Sequence, residues 1–138
     1  MKKFIFLLLI LSPYYSFSQT VCTLENKAKL EETLNELAQQ GLADLATNQQ
    51  VIAIGKNFLK TPYVEKTLEI PGPEQLVINL NGLDCTTYLE TVIALVRLSE
   101  KSDFSFETFE KELEFIRYRD GKNEGYPSRL HYFSDWIF

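Results

Sequence analysis

The stretch from Leu76 to Glu100 constrains this chain most. Leu76 to Leu80 alternates and is rich in β-branched residues, which predicts a short strand, and Asn81-Gly82 is a turn signal. Asp84 then opens a helix on which Tyr88, Leu89, Val92, Ile93, Leu95 and Val96 wrap most of the circumference. A helix apolar nearly all round belongs at the centre of a fold, not on its surface. The rest of the molecule must therefore pack around a strand–turn–helix unit whose helix begins at Asp84-Cys85.

The flanking segments are helical too. Thr23 can cap a helix carrying Leu30, Leu34, Leu37 and Ala38 on one face, with Lys27, Lys29, Glu31, Glu32 and Glu36 opposite and Gly41 as its stop. A second helix is expected over Asn48 to Leu59, with Val51, Ile54 and Phe58 inward, ended by Pro62 through its restriction of Thr61. Pro62 to Gln75 holds Pro62, Pro71, Gly72 and Pro73 and reads as loop. Ser105 caps another helix bearing Phe106, Phe109, Leu113 and Ile116, which stops near Gly121. After loop to Ser128 a short helix is expected, on which Tyr132 and Trp136 are i, i+4 neighbours. Mostly helical α+β is the fold class.

Met1 to Ser18 stands apart. Lys2 and Lys3 precede the unbroken apolar run Phe4 to Leu11, Pro13 breaks it, and Ser16-Phe17-Ser18 offers small residues for a signal peptidase. Eight apolar residues are too few to span a bilayer, which takes about 20. The expectation is an exported, periplasmic protein with residues 19–138 as one domain and no membrane span. Gln19-Thr20-Val21 lacks the small residue a lipoprotein site needs before Cys22. A net charge of -5 argues against sequence-independent nucleic-acid binding. One His and two Cys cannot build the usual four-ligand zinc site, so no metal and no cofactor is expected.

Cys85 is the residue on which chemistry centres. The first turn of a helix gathers unpaired N–H groups and the positive end of the macrodipole, which favours a thiolate, the nucleophilic form. Asp84 as N-cap would fix the helix start and so the direction of the thiol. Two bland alternatives stand beside this: Cys85 as a small buried hydrophobe, or paired with Cys22 in a disulfide suited to an exported protein.

Thr61-Pro62-Tyr63 followed by Leu83-Asp84-Cys85-Thr86-Thr87-Tyr88-Leu89 resembles the NlpC-type cysteine peptidases, papain-like cell-wall hydrolases. Ile116-Arg117-Tyr118-Arg119-Asp120-Gly121 and Arg129-Leu130-His131-Tyr132 through Asp135-Trp136 are similar to one branch, the N-acetylmuramoyl-L-alanine amidase-like family. The resemblance runs from about Leu45 onward and implies the N-terminal, mostly helical half of an NlpC-type fold, with the domain cut short at its C-terminus. It implies that Cys85 attacks the amide joining the muramic acid lactyl group to L-alanine in a muropeptide. Tyr63 matches the tyrosine beside the nucleophile. Arg129, His131 and Trp136 become candidates for substrate contact, Arg129 as a fork-shaped cation for a stem-peptide carboxylate, with Arg117 and Arg119 as competitors. A bland reading makes Tyr132 and Trp136 a packing stripe, with a surface ion pair beside it. The family's histidine base sits downstream in an H-V-G type strand that this sequence lacks; His131 is its single histidine. Two rivals therefore stay open, a binding module without turnover and an endopeptidase cutting within the stem.

Overall fold

The computed structural model describes residues 20–137; the signal segment read above lies outside them. Thr23 caps the first helix as expected: its Oγ1 accepts from the Asn26 N–H at 3.2 Å and α1 runs Leu24–Ala38. Leu30, Leu34 and Leu37 are buried, whereas Ala38 lies in solvent. Helix α2 covers Thr47–Lys56, shorter than expected at its C-terminal end, where turn-type bonds carry the chain on to Thr61. Its inward face differs from the reading by one position. Val51 is exposed and Gln50 is buried instead, its Nε2 donating to Leu45 O at 2.9 Å.

Two short strands, β1 (Thr20–Cys22) and β2 (Leu76–Ile78), pair in parallel with Thr20 opposite Leu76 and Cys22 opposite Ile78. β1 was not anticipated; three residues are too few for an alternation signal. α3 (Cys85–Lys101) is central, with Val92, Leu95, Val96 and Leu98 buried, though Tyr88, Leu89 and Ile93 keep some exposure. α4 (Phe106–Arg117) starts at the Ser105 cap and lays Phe109 and Leu113 against α3. Glu112 of α4 sits between Arg97 and Lys101 of α3. Burial raises its carboxyl pKa, but the two cations outweigh this and hold it below its ordinary value.

The C-terminal segment departs from expectation. Past α4 it makes three 3-10 turns, Arg119–Gly121, Tyr126–Ser128 and Phe133–Trp136. Tyr132 is exposed, and Trp136 meets Phe133 edge-on at 5.5 Å, so the anticipated Tyr132–Trp136 stripe does not form.

Two polar contacts aim the strand–turn–helix unit. Buried Asn26 of α1 accepts the Leu80 N–H at 2.8 Å, and Lys29 Nζ donates to Leu80 O at 2.7 Å, so Lys29 does not sit on a purely solvated face. Beyond the turn, Leu83 bridges in parallel to Tyr63: its N–H donates to Pro62 O at 3.0 Å and its carbonyl accepts the Val64 N–H at 3.1 Å. Gly82 makes this approach possible, since a Cβ there would stand 2.6 Å from Val64 Cγ2. Gly82→Ala is therefore expected to cost about 1–3 kcal/mol, read in urea unfolding of the full-length protein. An unchanged midpoint would show that Val64 yields freely.

Candidate active site

Asp84 builds the start of α3. Its Oδ1 accepts from the Thr86 N–H at 3.0 Å, the Thr87 N–H at 2.8 Å and Thr87 Oγ1 at 2.9 Å, while its own N–H donates back to Thr87 Oγ1 at 2.9 Å. This capping box satisfies two of the orphan donors of the first turn. The Cys85 N–H finds no acceptor among the described residues and stays available to a ligand. The Cys85 side chain is exposed, which corrects the reading of a buried small hydrophobe. Nor is it in a disulfide: both cysteines are free, and Cys22 is half-buried at the end of β1 with its Sγ directed to Thr23 O at 3.6 Å.

Cys85, Asp84 and Tyr63 come together. They line a cavity of about 300 Å³ with Phe58, Leu59, Thr61, Leu83 and Tyr88. Tyr63 is held there by its bridge to Leu83 and is 66% exposed. Partial desolvation, then the nearby Glu65, Cys85 and Asp84, push its phenol pKa up, so it stays protonated at neutral pH as a hydroxyl donor.

Arg129 and His131 lie on the other side of Asp84. With Asp84, Thr86, Glu90 and Lys66 they line a second, polar cavity of about 180 Å³, which Cys85 does not line. Arg129 is buried. It is 5% exposed, paired with Glu69 and with Glu74 (3.4 Å), and stacked 4.8 Å over the Tyr126 ring. Its fork is already held by two carboxylates, which leaves little of it for a stem-peptide carboxylate. His131 packs on the same tyrosine: its ring lies 4.6 Å from the Tyr126 ring and Nε2 is 3.3 Å from Tyr126 O. Trp136 lines a third cavity with Ile93, Phe115 and Asp135, apart from the thiol.

Sequence reasoning missed the polar frame behind the nucleophile. Glu90, on the inner face of α3, is buried and bound by Arg117 at the end of α4 (2.8 Å), whose Nη1 also donates to Val77 O of β2 at 2.6 Å. Arg117 is thus a structural pin and not a competitor for substrate. Beside it, Tyr118 Oη reaches Glu74 at 2.9 Å; burial first, and that carboxylate next, push its phenol pKa well above the tyrosine range. Among the described residues no group of three His, Cys, Asp or Glu is placed to hold a metal, and no helix is long and apolar enough to cross a membrane.

Crystal structures of an N-acetylmuramoyl-L-alanine amidase from Bacteroides uniformis match at 46% identity with TM-score 0.62 over 66% of this chain, and at 49% with TM-score 0.58 over 63%. A candidate xylanase from Bacteroides fragilis matches at 46% identity with TM-score 0.56 over 60%. The chain spans 38% of the length of both amidase chains and 36% of the third. Curated proteins give no match. The family model described as N-acetylmuramoyl-L-alanine amidase-like covers residues 53–138, from within α2 through the thiol-bearing start of α3 to the last turn. With more than half of its length inside that match, the chain belongs to the N-acetylmuramoyl-L-alanine amidase-like family.

Proposed function

We propose that this protein is an exported, periplasmic peptidoglycan hydrolase of NlpC-type, papain-like fold. Its Cys85 cleaves the lactyl–L-alanine amide of muropeptides. The observation that carries this reading is the exposed Cys85 thiol at the first position of α3, in one pocket with Tyr63, in a chain of this family. In the proposed reaction the thiolate adds to the lactyl carbonyl carbon. The Cys85 N–H is the oxyanion donor, being free at the helix start. Collapse breaks the C–N bond, and the amine of L-alanine leaves with the proton that the thiol gave up at the start, relayed by a general base; the resemblance gives that part to the family's histidine, and no residue of this sequence is assigned to it. Water then hydrolyses the thioester, giving the lactyl carboxylate and regenerating the thiol. Tyr63 contributes a hydroxyl beside the sulfur. His131 is not assigned as base, because it lies across Asp84 and is oriented by Tyr126. No cofactor enters the scheme.

That position of His131 favours one second reading, a module that binds muropeptides without turnover. Digestion of purified muropeptides by the full-length protein, with products weighed by mass spectrometry, separates the readings. The amidase releases an intact stem peptide with a free alanine amine. An endopeptidase releases a shortened stem, and a binding module leaves the substrate whole while retaining it in equilibrium dialysis.

A further inference from the structure

The pocket beside Cys85 has a chemistry of its own. Around Cys85 it is lined by the apolar or aromatic Phe58, Leu59, Tyr63, Leu83 and Tyr88 and by Thr61, and among the described residues its one charged lining residue is Asp84, whose Oδ1 is engaged in the cap. Leu59, Tyr63 and Tyr88 are all exposed, which concentrates large apolar groups on the surface around the thiol. Such a patch marks a ligand surface more often than an accident of packing. Tyr88 follows Cys85 by three residues and so stands on the same face of α3.

Tyr88 is also held with little freedom. Its ring meets Phe58 edge-on, with centroids 6.4 Å apart and planes at 87°. Its hydroxyl lies over Gly55 of α2, where a Cβ would stand 2.5 Å from the phenol oxygen. Gly55 therefore sets how closely the tyrosine approaches α2, and hence how far its ring reaches toward the thiol.

We propose that Tyr88 is a specificity-determining residue: with Tyr63 it walls a pocket that admits an uncharged, apolar group next to the bond Cys85 attacks, and Gly55 positions that wall. The role of Cys85 rests on the preceding reading; the character of the pocket does not. In a muropeptide, the groups that fit are the lactyl and alanine methyls flanking the scissile amide, with the stem carboxylates directed elsewhere.

The test needs no muropeptide. The full-length protein is alkylated near neutral pH with iodoacetate, iodoacetamide and N-benzyl-iodoacetamide. In each case a carbon–sulfur bond forms on Cys85 and iodide leaves. Modification of the Cys85 peptide is followed by mass spectrometry, and each rate is divided by that of glutathione. The benzyl reagent is expected to outpace iodoacetamide roughly five-fold, with iodoacetate slowest. Tyr88→Phe should keep this preference, while Tyr88→Ala and Gly55→Ala bring it toward one. If Gly55→Ala fails to fold, the Phe and Ala variants at Tyr88 read the same quantity. A preference that survives Tyr88→Ala, or iodoacetate reacting fastest, overturns the proposal. A Cys85 that reacts with none of the three overturns the nucleophile as well, whereas normal labelling with failed muropeptide cleavage overturns only the proposed function.

Discussion

Arg117→Met is expected to destabilise the full-length protein by about 3–5 kcal/mol. The substitution keeps an apolar stem but removes both the Glu90 partner at 2.8 Å and the donor to Val77 O. Glu90 is 1% exposed and its second oxygen has no partner among the described residues, so the variant strands a carboxylate with nothing there to compensate its lost hydration. Burial, opposed by Arg117, already raises the Glu90 pKa above its ordinary value. Without the arginine it must rise further, since the neutral form is the one an apolar site tolerates. The unfolded chain then ionises first as pH rises through the ordinary carboxylate range. The variant is therefore expected to lose stability from acid toward neutral pH, relative to the parent. Urea unfolding at two pH values checks both statements. A loss below about 1 kcal/mol at neutral pH would mean that the pair behaves like an exposed one. Adding Glu90→Gln to Arg117→Met should recover part of the loss, because no charge is then left behind.

Cys85→Ala is expected to lower muropeptide hydrolysis by about 10³-fold or more while leaving the fold unchanged. The side chain is exposed and its thiol is free among the described residues, so the melting temperature should match that of the parent. Cys22→Ala behaves in the opposite sense. Cys22 packs partly against the core at the end of β1 and lines no part of the thiol pocket, so its loss should touch stability by about 1 kcal/mol and leave hydrolysis intact. Chromatography of reaction products, with thermal unfolding of the same samples, separates the two effects.

What could be read directly from the sequence was local. Thr23, Asp84 and Ser105 announce helix starts because a side-chain oxygen two or three residues from a free N–H is a short-range relation, and all three cap as expected. Tyr63, Asp84 and Cys85 share a pocket because one loop and one turn bring them there. The buried polar frame was invisible for the complementary reason. Glu90 and Arg117 are 27 residues apart, and Arg129 is 60 from Glu69, so nothing in a local window distinguishes these charges from solvated ones. Apolar periodicity likewise assigns an inward face by counting hydrophobes. It therefore chose Val51 over Gln50, whose amide finds a backbone carbonyl that only the folded chain supplies. The C-terminal aromatics misled for a third reason: helical spacing was applied to a segment that folds as 3-10 turns, which brings Phe133 and not Tyr132 to Trp136.

The claim on which the rest depends is that Cys85 becomes acylated. Rapid acid quench of the full-length protein mixed with purified muropeptide, followed by peptide mass spectrometry, tests it most directly. A transient adduct is expected on the peptide carrying Cys85, with the mass of the muramic acid portion joined through its lactyl carbonyl, and no such adduct in Cys85→Ala. Hydrolysis that proceeds at the parent rate in Cys85→Ala, with no adduct in either protein, would contradict it.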